Sequence, residues 1–106
     1  MLTLRLTLFL LVTSLCCSLS VVAEDSEAQA RRLINALGCK ACHSLEQSGS
    51  ILAPSLDKIG ARMGLKQLTE KLTIHKEKKP KTAMPSYATT PDQDLTAIVI
   101  FLASLK

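Results

Sequence analysis

The chain changes character near residue 24. Leu6 to Leu15 is almost unbroken apolar sequence behind a single basic residue, Arg5, and charge begins abruptly at Glu24-Asp25. From there on, apolar positions recur at helical spacing. Ala30, Leu33, Ile34 and Leu37 share one helix face. Ser26 and Gln29 stand where a capping box would open that helix, and Gly38 stands where a helix stops. Asp57 to Met63 admits a short helical turn, and Gly64 punctuates it. Leu65, Leu68 and Leu72 mark a second amphipathic helix that ends near His75. The last helix is the best signalled. Thr90 reads as its N-cap, Pro91 as its first residue and Gln93 as the partner in a capping box. Asp92 and Asp94 suit the positive end of the helix dipole. Leu95, Ile98, Val99 and Leu102 form its buried stripe, with Phe101 and Leu105 beside it. Ser44 to Leu52 reads as a polar loop, Lys76 to Thr82 (with Pro80) as an extended exposed segment, and Met84 to Thr90 as another loop. No period-two alternation and no internal repeat occurs. The pattern predicts an all-α domain.

The leader has the form of a secretory signal peptide, with Val21-Val22-Ala23 fitting a cut after Ala23. The expected organisation is therefore 1–23 signal peptide and 24–106 domain, exported to the periplasm. A retained anchor is the competing reading. Leu6 to Val22 is at the lower length limit for a span and carries several Ser and Thr. Lipidation at Cys16 or Cys17 is disfavoured by Thr13 and Ser14. The cut removes Cys16 and Cys17, leaving two of the four cysteines, so the remainder is no disulfide scaffold. It also removes Phe9, leaving Tyr87 and Phe101 as the aromatics of a domain that has no Trp. A domain this small needs something else in its core.

The two remaining cysteines lie in Cys39-Lys40-Ala41-Cys42-His43, the C-x-x-C-H attachment signature of c-type haem. Two thiols at this spacing can each add across a haem vinyl group. The histidine that follows can then reach the iron as proximal ligand. A thioredoxin-like dithiol would need βαβ patterning, which is absent. A zinc site would need a second ligand pair, and only His75 is available. A structural disulfide would leave His43 unexplained. For the opposite axial position the candidates are Met63, Met84 and His75. Met84 stands out because Pro85 biases it toward extended backbone in a loop free to bend over a haem face.

These residues resemble the class I c-type cytochromes in their small bacterial monohaem form, from about residue 30 to residue 105. Beside the attachment motif, Ala53-Pro54-Ser55-Leu56 is similar to the family's Gly-Pro-x-Leu. Met84-Pro85-Ser86-Tyr87 is similar to its Met-Pro-x-aromatic segment. The resemblance implies a small cytochrome c fold of three to four helices wrapped around one covalently attached haem c, with crossing N- and C-terminal helices and Ile34 meeting Phe101. It implies Cys39 and Cys42 as haem attachments, His43 and Met84 as axial ligands, and a Pro54 carbonyl accepting a hydrogen bond from His43. It further implies Leu56 packing on the haem and Tyr87 near a propionate. Two departures are Ala53 in place of glycine, which would displace the loop slightly, and Ile34 in place of an aromatic residue.

Two protein ligands close the iron to substrate, so the expected function is one-electron transfer between exported or membrane redox partners, without catalysis. Met/His ligation raises the reduction potential. The formal charge is +4 for the whole chain and falls by one with Arg5. Lys66, Lys71, Lys76, Lys78, Lys79 and Lys81 crowd the approach to Met84. They read either as a docking patch for an acidic partner or as a solvated face. Nucleic acid is excluded by export and by the lack of stacking aromatics. Membrane contact is expected only through a partner or an uncleaved anchor. Two other functions fit the motif: a haem enzyme or gas sensor if Met84 does not bind, or a subunit of a larger oxidoreductase.

Overall fold

The computed structural model describes residues 25–106; the leader, with the expected cut after Ala23, lies outside the described residues. Helix α1 covers 25–36. A 3₁₀ turn, Cys39–Ala41, follows, and then strands β1 (Ser44–Leu45) and β2 (Ser48–Gly49). Helices α2 (Ile59–Arg62), α3 (Leu65–Thr73), α4 (His75–Lys78) and α5 (Asp92–Ser104) complete the order. Three helices of two turns or more, α1, α3 and α5, carry the architecture. The single-turn α2 and α4 join them.

One buried cluster unites the described elements. It contains Ala30 and Ile34 of α1, Leu45 and Leu56, Leu68 and Leu72 of α3, and Leu95, Ile98, Val99, Phe101 and Leu102 of α5. All but Leu45 and Leu56 lie on the helices that the apolar spacing predicts; Leu45 comes from the segment expected to be a polar loop, and Leu56 is implied by the resemblance alone. Helices α2 and α3 both pack on α5. The terminal helices meet as expected. Gln29 donates to Asp94 at 3.1 Å, and the Arg31 guanidinium lies 4.8 Å above the Phe101 ring, while Ile34 and Phe101 share the core.

The structure departs from the sequence reading at four places. The polar loop after His43 contains a small antiparallel hairpin, with Ser44 opposite Gly49 and Leu45 opposite Ser48. Its two-residue turn places both Glu46 (φ 51°) and Gln47 (φ 65°) in the left-handed region. Such turns are usually marked by Asn-Gly or Asp-Gly, and strands of two residues show no alternation. The basic stretch is not extended from Lys76. It continues helically to Lys78 and opens at Lys79, whose backbone is pushed out of the helical region (φ −133°, ψ 77°) by the following Pro80.

The capping boxes at the two terminal helices do not form as read. Helix α5 starts one residue late. Pro91 is extended (φ −52°, ψ 138°) with no side-chain cap, and its carbonyl accepts the first helical bond from Leu95 at 2.9 Å. The Thr90 N–H instead closes a turn onto the Tyr87 carbonyl. Residue 25 is already helical, so the helix begins before Ser26, and the Gln29 side-chain amide N–H donates to Asp94 of α5. A working cap appears instead at α3, where the Gln67 side chain reaches back to the Gly64 N–H at 3.0 Å.

Candidate functional site

Gly38 sets up the site. Its left-handed backbone (φ 74°, ψ 21°) ends α1 and turns the chain into the 3₁₀ segment, a conformation glycine adopts without Cβ strain. The Ala41 N–H then bonds to the Gly38 carbonyl, and those of Cys42 and His43 to the Cys39 carbonyl. Both thiols are free. Cys39 is partly buried against the core, and burial pushes its thiol pKa up. Cys42 is exposed.

His43 is held by one specific contact. Its Nδ1 lies 2.6 Å from the Pro54 carbonyl oxygen. A carbonyl only accepts, so Nδ1 carries a proton, and in the neutral imidazole Nε2 is then the nitrogen with the lone pair. The ring is thereby oriented with one nitrogen available to a metal, and donation to a carbonyl raises its basicity. Pro54 is positioned by the flanking backbone: the Ala53 N–H donates to the Cys42 carbonyl and the Leu56 N–H to the Ser44 carbonyl, each at 2.8 Å. Ala53 has no left-handed backbone, so an alanine at the glycine position still lets Pro54 reach His43. Leu56 is buried in the cluster.

Gly49 also supports His43. It sits at φ 106°, and a Cβ there would run into the His43 carbonyl. In the sequence Gly49 is one residue of the polar loop Ser44 to Leu52, with no mark of its own. Its role depends on the hairpin, which no local pattern signals.

The Met84 loop is tied to the end of α3. The Tyr87 N–H donates to the Leu72 carbonyl at 2.7 Å, and the Ser86 hydroxyl to the Thr73 carbonyl at 2.8 Å. These carbonyls lack helical partners, and the loop satisfies them. Met84 and Tyr87 are partly buried against the same cluster that receives Cys39 and Leu56. The Tyr87 hydroxyl, expected near a propionate, donates to the Leu37 carbonyl at 3.4 Å. Burial raises its pKa, with Cys39 as its neighbour and hydrogen-bond partner adding to the rise. Met63 packs on the core where α2 ends, as filler would. His75 starts α4 and is partly exposed; partial desolvation and then Lys71 and Lys79 lower its pKa.

The donor set fits a covalently attached haem: two free thiols at attachment spacing, an oriented imidazole, and a thioether on the same apolar cluster. Among the described residues, no three His, Cys, Asp or Glu side chains gather as an ordinary metal site. The family model described as Cytochrome c matches residues 27–106. The chain belongs to the cytochrome c family. No curated protein and no solved structure matched it. This cytochrome c domain therefore binds covalently attached haem c, and the function it shares with its family is haem-based electron transfer. Members of the family are generally carriers rather than enzymes. Its domains are commonly exported in bacteria. No described helix is long and apolar enough to cross a membrane.

The surroundings add what the motif could not show. Of the six lysines before Met84, all but the half-buried Lys71 are exposed. Lys76 is drawn to the Thr82 carbonyl at 2.6 Å, and Lys78 is loosely paired with Glu70 at 3.8 Å. On the other side of the motif, Ile51 and Leu52 are 93% and 81% exposed, close to Lys40, whose carbonyl accepts the Ser50 N–H.

Proposed function

We propose that this chain is a one-electron carrier that shuttles electrons between exported or membrane redox partners, with His43 and Met84 as axial ligands and Cys39 and Cys42 as the thioether attachments. The single observation that carries the reading is the His43 Nδ1 contact to the Pro54 carbonyl, which leaves Nε2 as the ligating nitrogen. Bound haem c supplies the couple Fe(III) + e⁻ ⇌ Fe(II). The protein's residues do the rest. Pro54 orients the His43 ring and raises its basicity. The ties of Ser86 and Tyr87 to the end of α3 limit the travel of Met84 between oxidation states. Leu56 and the cluster around it exclude water, which disfavours the extra positive charge of the ferric form and raises the potential. With His43 and Met84 both holding the iron, it would offer no site to a bound substrate. The leader fits export, with a cut after Ala23.

Absorption spectra test the ligand set. The wild-type holoprotein is expected to give a low-spin c-type spectrum and a weak far-red methionine-to-ferric-iron band. Met84→Ala is expected to lose that band, and its reduction potential to fall by a sizeable part of the ~0.8 V that axial ligation spans. A high-spin wild type would overturn the carrier reading in favour of a ligand-binding haem.

The lysines at 66, 71, 76, 78, 79 and 81 are read as a docking patch for an acidic face of the redox partner. Electron-transfer rates with that partner are expected to fall about tenfold or more from low to high salt. A flat salt dependence would sink the steering role. Exposed Ile51 and Leu52 favour a second reading, a subunit of a larger oxidoreductase with that loop covered. Purification as a lone active monomer would count against it.

A further inference from the structure

Three non-glycine residues among those described have left-handed backbone: Glu46, Gln47 and Lys58. They flank the segment that carries Pro54. Such backbone costs about 1 kcal/mol or more per residue and persists only where surrounding contacts hold it. At Glu46 those contacts form one chain of polar groups, which runs on to Asp57, the residue before Lys58. The Arg31 guanidinium grips both carboxylate oxygens of Glu46 at 2.8 Å, and its Nε donates to Glu27 at 3.0 Å. Its position over Phe101 adds a ring contact. The Glu46 N–H donates to Asp57 Oδ1 at 2.9 Å. The Ser55 hydroxyl donates to Asp57 Oδ2 at 3.1 Å, and the Asp57 N–H donates back to the Ser55 hydroxyl at 3.1 Å. Ser55 follows Pro54 directly. A lone exposed ion pair contributes little, but a two-pronged Arg–carboxylate fork within a network is the exception.

We infer that Arg31, Glu46 and Asp57 form a strap from α1 to the Pro54 loop, and that this strap positions the Pro54 carbonyl against His43 and so sets the donor strength of the iron ligand. These are positioning residues, since none touches the haem attachment or ligand atoms. The inference rests on His43 being the proximal ligand. A tighter Nδ1–H···O=C bond makes the imidazole more basic and favours ferric iron. Loosening the strap therefore raises the reduction potential. Loss of the positive charge of Arg31, taken alone, would favour ferric iron and lower it. The two effects have opposite signs, which makes Arg31 the discriminating position.

The test uses the holoprotein with Arg31→Met, which keeps much of the stem over Phe101. Its potential is expected to rise, and the solvent exchange of the His43 Nδ1 proton to quicken about tenfold relative to wild type. Asp57→Ala should quicken that exchange similarly. Asp57→Asn, which retains an oxygen acceptor for the Glu46 N–H, should restore near wild-type exchange. A core control of modest cost, Ile98→Val, should move neither quantity. A potential that falls in Arg31→Met, exchange unchanged in Arg31→Met and Asp57→Ala, or no rescue by Asp57→Asn would overturn the strap. Failure of the underlying ligand reading has its own signature. In ferric protein the His43 ring protons would then lack the large paramagnetic shifts of an iron-bound imidazole, whatever the variants do.

Discussion

The haem-free double variant Cys39→Ala/Cys42→Ala is expected to be largely unfolded, with no cooperative thermal melt by far-ultraviolet circular dichroism. The described core explains why. Its buried apolar residues are mostly Leu, Ile and Val, and the largest fully buried side chains are Ile34 and Leu45. Phe101 is the one aromatic among the buried residues. Chains of this size bury a smaller fraction of their surface than larger domains do, and the net stability left after conformational entropy is marginal. Several elements that surround the attachment motif are short and individually weak: single-turn α2 and α4, and a hairpin of two residues per strand. Such elements do not persist alone. A covalently held group packed against Cys39, Leu56, Met84 and Tyr87 would join them, so that attachment and folding become one process. A sharp, native-like melt of the haem-free chain would contradict this.

Gly60→Ala in the holoprotein is expected to cost about 3 kcal/mol, lowering Tm by about 10–20 °C. Gly60 is buried in α2, where a Cβ would collide with the backbone carbonyls of Ala103 and Leu102. Those atoms belong to the last turn of α5 and cannot rotate aside as a side chain would. Two hydrogen bonds fix the approach. The Gly60 N–H donates to the Leu105 carbonyl at 2.8 Å, and the Lys106 ammonium donates to the Gly60 carbonyl at 2.9 Å. Gly64 offers the comparison. It has no neighbour within 4 Å of a Cβ and an ordinary extended backbone, so Gly64→Ala is expected to change stability by about 0.5 kcal/mol or less. Equal losses at the two glycines would show that steric contact with α5 is not the cause.

The residues that carry local chemistry were legible in the chain itself. Cys39, Cys42 and His43 are adjacent in sequence, so their spacing alone announces haem attachment. Ala30, Ile34, Leu68, Leu72, Leu95, Ile98, Val99 and Leu102 are buried where helical periodicity places them, because a single helix turns each stripe to one side. Pro54 was named only through its resemblance to a family segment, and the structure brings its carbonyl to His43.

Other features depend on segments far apart in the chain. Gln29 was read as a local cap, yet it bonds to Asp94, 65 residues away. Arg31 has only its i,i+4 spacing from Glu27 to mark it in the sequence, yet it also joins Glu46 and Phe101. The turn at Glu46-Gln47 lacks the residues that usually mark it, because contacts from Arg31 and Asp57 hold its backbone. Gly60 reads as a neutral helix residue until α5 lies across it. The sequence by itself determined the helices, the haem chemistry and the candidate ligands, since each follows from covalent spacing or a period along one segment. Only the tertiary structure decided what holds the His43 and Met84 loops in place, because those restraints are carbonyls and charges that reach one another only after distant segments have packed.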